Sequence, residues 1–300
     1  MSGPVIEIKL PREYNYINSL NFVFIDKLAT PELWVELDRS LLILYDNKPI
    51  LLKFSEKTIK VFSSKSELAL RETVMRKLNL VASSLEAYRE GLKFFEVKGL
   101  RDYIRYLKGF IPPILGDGSR WFYTGLVKTI LLQFVSYKVA RIMINRFIRS
   151  FGSKIEFKDY QTWSFPEPEQ ILAIPIEELK QRPRISRVKA QAIKLVAELE
   201  RDGILASLER EAYKDPAMVV KELMKLKGIG YWTAHVALMA GLGIWHAQPL
   251  DRLEKTLRSL NIDPRGLKDL TPSAWGYISV ALLFAEEARQ GRYFKYRDKM

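Results

Sequence analysis

Leu223-Met224-Lys225-Leu226-Lys227-Gly228-Ile229-Gly230-Tyr231-Trp232-Thr233-Ala234 decides how this chain folds. An apolar-periodic segment runs into two glycines one residue apart, and a second apolar-periodic segment follows, which predicts a helix, a tight hairpin and a helix. Gly228 and Gly230 lack a β-carbon, so the backbone can turn sharply and lie against a phosphate while the amides that open the next helix face it. Gly228, Ile229 and Gly230 are the candidate amide donors, with Lys225 and Lys227 as charged partners on either side. A hairpin of this kind holds a nucleic-acid backbone without reading bases. Val236-Ala237-Leu238-Met239 then takes the second helix into the interior, and the chain has to emerge before Pro249. Asp251 follows at once, at the head of a helix predicted over Arg252 to Leu260.

Composition agrees with a polyanionic partner. The 300 residues carry a formal charge of +13, and clustered Lys and Arg gain free energy by releasing counterions from nucleic acid. An apolar fraction of 48% supplies a packed core. Zero cysteines excludes disulfides, thiol catalysis, cysteine-ligated zinc and any iron-sulfur cluster, and two histidines make a His-rich metal site a poor expectation. Carboxylates, aromatics, backbone groups and water are left to do the chemistry. The sequence contains no apolar run long enough for a bilayer and no signal-peptide pattern, so a monomer in the cytoplasm, or in the nucleus of a eukaryote, is expected.

Residues 1–80 read as β-rich with a helix. Val5 to Leu10, Phe22 to Ile25, Leu33 to Leu37, Ser40 to Tyr45, Ile50 to Phe54 and Thr58 to Phe62 are short β-branched and aromatic segments, and Asp46-Asn47-Lys48-Pro49 turns one pair into a hairpin. Ser66 to Leu78 has helical spacing. From residue 80 onward the pattern is helical, broken by a Pro/Gly loop from Ile111 to Gly118. Helices are predicted over Trp121 to Val135, Val139 to Phe151, Pro168 to Ala173, Ile176 to Lys180, Ser186 to Leu199, Ala217 to Leu226, Tyr231 to Ala240 and Ser273 to Arg289.

The hairpin followed by Gln248-Pro249-Leu250-Asp251, together with Gln133-Phe134-Val135-Ser136 in an apolar segment, closely resembles the helix-hairpin-helix DNA glycosylases, the base-excision enzymes of the 3-methyladenine, 8-oxoguanine and endonuclease III types. The resemblance covers about residues 80 to 290. It implies an α+β fold: a mostly helical two-lobed core behind a small antiparallel β-sheet domain with a helix. The lobes would be 81–118 joined by 251–300, and 119–250 with the helix-hairpin-helix at 223–240. It further implies damaged duplex DNA as partner and Asp251 as the catalytic carboxylate. Members that also cut the strand carry a lysine two positions after the second hairpin glycine, and this chain has Trp232 there, the pattern of the alkylbase branch. The spacing from Trp232 to Asp251 and the segment Trp275-Gly276-Tyr277 look more like the 8-oxoguanine branch, so both assignments stand. No cofactor is implied beyond a structural Na+ or K+ held by hairpin carbonyls, by position those of Met224, Leu226 and Ile229.

Each candidate also has a purely structural reading. Asp251 and Glu254 form an Asp-x-x-Glu capping box. The glycine hairpin upstream favours the chemical role, because a carboxylate near C1′ stabilises the oxocarbenium-like charge that builds as an N-glycosidic bond breaks. Trp232 is either a core residue, given its spacing to Val236 and Met239, or a wall on which an extruded, electron-poor base stacks. Trp275 and Tyr277 are core residues or further pocket surface. Phe134 is a buried helix residue among apolar neighbours or, as the resemblance implies, the wedge that fills the space of a flipped nucleotide. The run Lys180 to Lys189 either lines a DNA strand or is a solvated face.

Overall fold

The computed structural model describes residues 5–23, 33–35, 38–46, 48–63, 67–245 and 250–289. Five antiparallel strands open the chain: β1 (Ile6–Lys9), β2 (Leu33–Val35), β3 (Ser40–Tyr45), β4 (Lys48–Phe54) and β5 (Thr58–Phe62), in the spatial order β1-β5-β4-β3-β2. The predicted hairpin pairs β3 with β4 in the register Tyr45↔Lys48, with Asp46 in the left-handed conformation a two-residue turn requires (φ 49°). The strand expected at Phe22 to Ile25 is not formed. Residues 22 and 23 instead end a helix, α1 (Tyr16–Val23), and 24–25 lie outside the described residues, as do 36–37 of the strand expected to Leu37 and Ser66. Helix α1 buries Tyr16 and Leu20, which lie four apart on one helical face, and Tyr16 stacks on Phe54 of β4 (ring centroids 5.0 Å apart).

Helices follow as α2 (Glu67–Lys77), α3 (Ala82–Val97), α4 (Arg101–Leu107), α5 (Trp121–Leu132) and α6 (Tyr137–Phe151). A two-stranded hairpin, β6 (Lys154–Phe157) and β7 (Tyr160–Trp163), stands where only a connection was expected. Its signal was present, since Lys-Ile-Glu-Phe alternates in polarity and Tyr-Gln-Thr-Trp is rich in aromatic and β-branched residues, on either side of Lys158-Asp159. The remaining helices are α7 (Pro168–Ala173), α8 (Ile176–Gln181), α9 (Arg187–Arg201), α10 (Ile204–Ala212), α11 (Pro216–Met224), α12 (Tyr231–Val236), α13 (Leu250–Ser259) and α14 (Pro272–Arg289). A π-helical turn, Ala237–Gly241, prolongs α12, and α10 was not foreseen.

Two apolar cores result. One joins the β-sheet side, α3, α4, α13 and α14, with Leu253, Leu257, Tyr277 and Phe284 beside Ile8, Leu52 and Phe110. The other, from Ile114 to Ile244, is built on α5, which packs against α9 and the π turn. Between them runs the Pro/Gly loop, held by two buried ammonium groups. Lys77 donates to the Gly116 carbonyl (2.8 Å), and Lys128 donates to Leu115 (2.8 Å) and pairs with Asp117 (2.6 Å). Breaking a buried pair is far costlier than losing a surface one, so this crossing resists displacement.

The closest approach in the second core is between backbones. A Cβ on Gly125 of α5 would lie 2.5 Å from the Gly241 Cα, so the start of α5 and the end of the α12 segment touch with no room for side chains. Gly125→Val should therefore lower stability by about 3 kcal/mol or more through overpacking, read as a fall in the thermal melting midpoint. A variant melting like the wild type would show that the two helices can separate without loss.

Candidate nucleic-acid interface and base-excision site

The hairpin is assembled by unequal contributions from its two glycines. Gly228 has φ +89°, and a Cβ there would sit 3.0 Å from the Ala192 Cβ of α9, so conformation and space both require glycine. Gly230 has an ordinary extended φ of −92° and caps α12; a Cβ there meets nothing within 4 Å. Among the described residues neither conformation nor space requires glycine at this position. Ile229 between them is buried and its N–H donates to the Leu226 carbonyl (3.0 Å). This corrects its expected role: Ile229 is the anchor of the turn and not a free amide donor. The amides without an intrahelical acceptor are those at the start of α12.

Around this turn the expected basic partners differ. Lys227 is exposed. Lys225 is exposed and pairs with Glu222 (2.6 Å), a surface contact weak enough to exchange for a phosphate. The run from Lys180 to Lys189 is largely engaged within the chain: Lys180 and Arg187 pair with Glu177, Arg182 with Glu178, and Lys189 is buried. The Lys189 ammonium donates to the Leu131 carbonyl at the end of α5 (2.9 Å), and burial lowers its pKa below the ordinary lysine value.

Gln133 to Ser136 has a structure that explains its spacing. Helix α5 ends with Gln133 as its cap, and the buried Gln133 amide donates to the Gly228 carbonyl (2.9 Å) and to the Thr233 hydroxyl (2.7 Å). Phe134 then takes φ +54° and is fully exposed, at 102% of its reference area. Ser136 caps α6, accepting from the Val139 amide. The buried-helix reading of Phe134 is thus overturned. Helix α5 stops at Leu132, two residues before it, because Gln133 is held by the hairpin and the turn swings the next side chain into solvent. A left-handed conformation is uncommon for a bulky residue and marks a turn held by its surroundings.

The aromatic candidates separate. Trp232 is half-buried on the first turn of α12, beside Tyr231, which is half-exposed and meets the His235 ring edge-on at 4.3 Å. Tyr231 was not singled out in the sequence, although its i,i+4 spacing to His235 was visible. Tyr277 is a core residue and not pocket surface. It is 1% exposed, its hydroxyl donates to the Phe110 carbonyl (3.1 Å), its ring lies edge-on to Tyr88, and burial holds its pKa well above the usual value. Trp275 is half-buried against the same core, with its indole N–H on the Leu267 carbonyl (2.7 Å).

Asp251 is the second residue of α13, which begins two residues earlier than predicted. This places it in the first turn, where the helix dipole favours a negative charge, and not at the cap. Its side chain, and residues 246–249 with Gln248 and Pro249, lie outside the described residues. Helix α13 buries Leu253 and Leu257 in the first core, whereas the hairpin belongs to the second, so Asp251 and the hairpin stand on elements of different cores.

A five-stranded sheet in front of two helical cores, with a Gly-x-Gly hairpin in one and an acid in the first turn of a helix of the other, is the fold shared with solved helix-hairpin-helix glycosylases. No family model matches it. The 3-methyladenine DNA-glycosylase from Archaeoglobus fulgidus superposes with a TM-score of 0.73 at 23% identity, covering 93% of this chain and 96% of that one. A DNA complex of the Clostridium acetobutylicum 8-oxoguanine glycosylase/lyase gives 0.69 at 14% identity, covering 97% and 100%. In sequence, the DNA-3-methyladenine glycosylase of Bacillus subtilis is 30% identical over 142 residues, 45% of this chain and 46% of the relative. The chain spans about half the length of the curated relatives it matches. Among the described residues no helix is long and apolar enough to cross a membrane.

The two glycines predict different losses. Gly228→Ala forces a side chain into a left-handed conformation at a cost of about 1–2 kcal/mol, and should lower the melting midpoint as well as DNA affinity. Gly230→Ala should melt like the wild type yet bind every duplex more weakly, because its new methyl occupies the space a phosphate needs. Competition binding across several sequences, with a thermal melt of each variant, checks this; a sequence-dependent loss for Gly230→Ala would contradict a backbone grip.

Proposed function

We propose that this protein is a monofunctional DNA glycosylase that extrudes alkylated purines from duplex DNA and hydrolyses their N-glycosidic bond, leaving an abasic site. The observation that carries this reading is the pairing of a hairpin free of side chains at Gly230 with a fully exposed phenylalanine one residue from Gln133, the side chain bonded to that hairpin. A polypeptide does not expose a whole aromatic ring in a left-handed turn for stability, and an apolar wedge in a base step offsets lost stacking. The hairpin amides and Lys227 hold the phosphates, Phe134 fills the vacated space, and Trp232 offers an indole face to an electron-poor base. The carbonyls of Met224, Leu226 and Ile229 would hold a monovalent cation. The Leu226 carbonyl accepts from the Ile229 amide, and a carbonyl oxygen has a second lone pair for an ion, which would add positive charge beside the phosphate.

Asp251 would act on the transition state, stabilising the oxocarbenium-like sugar and orienting or deprotonating the attacking water. Trp232 stands where the strand-cutting branch carries its lysine, so the product is an intact abasic strand. Excision of 8-oxoguanine is the second reading, favoured by the likeness to the Clostridium enzyme along the whole chain.

Asp251→Asn should slow base release by roughly 10²–10⁴-fold on the best duplex of a lesion panel, with duplex binding nearly unchanged. Near wild-type release by the variant would remove Asp251 from catalysis, and no release from any lesion by the wild type would leave a DNA-binding protein without this activity. Borohydride should trap no covalent protein-DNA adduct, since no amine is placed to form a Schiff base; a strong adduct would move the assignment to a bifunctional oxidised-base enzyme.

A further inference from the structure

Gln133 bonds the two parts of the site that have different tasks. Its side-chain amide reaches the Gly228 carbonyl inside the hairpin and the Thr233 hydroxyl on the first turn of α12, and its own backbone leads directly into Phe134. Both partners are fixed: Gly228 is boxed in by Val188 and Ala192, and Thr233 is buried. On the other side, Lys189 holds the preceding carbonyl of Leu131. Helix α5 and the α12 segment run antiparallel. Gly125 touches Gly241 at one end, Gln133 meets Thr233 at the other, and eight residues separate the two contacts along each chain. The first contact sets how near the helices lie, and the second sets the register of their ends.

We infer that Gln133 is a positioning residue that fixes the distance between the phosphate grip and the base-step wedge, so that DNA held at the hairpin always meets Phe134 at the same step. The assignment rests on the glycosylase reading above. Gln133 touches neither phosphate nor base; it acts by tying Phe134 to Gly228. Without its N–H donors the hairpin can still hold a phosphate and Phe134 is still exposed, but the two drift relative to each other, and a misplacement of an ångström at a reacting centre is costly.

The test is Gln133→Leu, which keeps the volume and removes both donors, combined with Phe134→Ala in a double-mutant cycle. Gln133→Leu should bind undamaged duplex within about twofold of the wild type while single-turnover base release falls roughly ten- to a hundredfold, a loss in kcat and not in KM. The fluorescence rise of 2-aminopurine placed at the extruded position should shrink with it. On the Phe134→Ala background, adding Gln133→Leu should change the release rate little, since there is no wedge left to position. Independent, multiplying losses would overturn the inference, as would a general loss of duplex affinity like that of Gly228→Ala. If Gln133→Leu does not fold, Thr233→Val, which removes one of the two contacts, must show the same non-additive pattern more weakly; full additivity overturns the inference there too. Failure of the glycosylase reading looks different: Phe134→Ala alone would then leave the 2-aminopurine signal unchanged.

Discussion

The contact of two backbones, Gly125 of α5 against Gly241 at the end of the α12 segment, is the constraint on which the rest of the second lobe depends. Two helices this close cannot accommodate side chains at the crossing. Everything above it is then fixed by helix geometry at about 1.5 Å of rise per residue. The start of α12, with its outward amides, and the end of α5, with its exposed ring, are carried to the same end of the pair. A side chain on a long loop would be free to move; one placed at the stop of a buried helix is not. The π turn at Ala237–Gly241 falls at this same crossing, where it places the last residues of the segment against the Leu115 amide, which donates to the Ala240 carbonyl (2.5 Å).

Much of this was legible in the sequence because local chemistry specified it. Gly-Ile-Gly between two amphipathic segments gives the hairpin, Asp46 marks a strand turn, and the Pro/Gly loop separates two cores. What was not legible depends on partners far along the chain. Periodicity carried α5 on to Val135, since Phe134 and Val135 are apolar. Only the reach of Gln133 to Gly228, ninety-five positions away, shows that the helix stops at Leu132 and turns Phe134 outward. Tyr277 shows the reverse case: an aromatic beside a glycine in a candidate pocket segment, whose hydroxyl is held by Phe110 from the other half of the chain. The two hairpin glycines looked equivalent in order, yet only Gly228 is required by the chain's own conformation and packing.

Net charge is likewise a poor guide to where DNA lies. Lys77, Lys128 and Lys189 count toward the formal +13, but all three are buried on backbone carbonyls, and the most basic stretch of sequence is neutralised in large part by Glu177 and Glu178. These buried cations act on helix ends and on the interlobe loop. A lysine aimed at a carbonyl within the core is not free to neutralise a phosphate and release its counterion. The groups suited to phosphate are few and local: the start of α12, Lys227, and Lys225 once it leaves Glu222.

The junction between the two cores decides how the candidate residues stand to one another. The hairpin and the helix that leads into Phe134 belong to the second core, whereas Asp251 lies in the first turn of a helix whose Leu253 and Leu257 are buried in the first. Their relative placement is therefore set across the boundary, by the residues that lock it. Lys77 reaches over to Gly116, and the Trp245 indole donates to Ser84, which in turn donates to the Asn79 side chain, whose amide donates to Pro112. Such a chain of buried, satisfied polar contacts has one good geometry and many poor ones, which is how polar networks confer uniqueness on a core at little net gain in stability. For the glycosylase function proposed above such rigidity would be an advantage, because a carboxylate held in place needs no free energy to be organised as charge develops on the substrate.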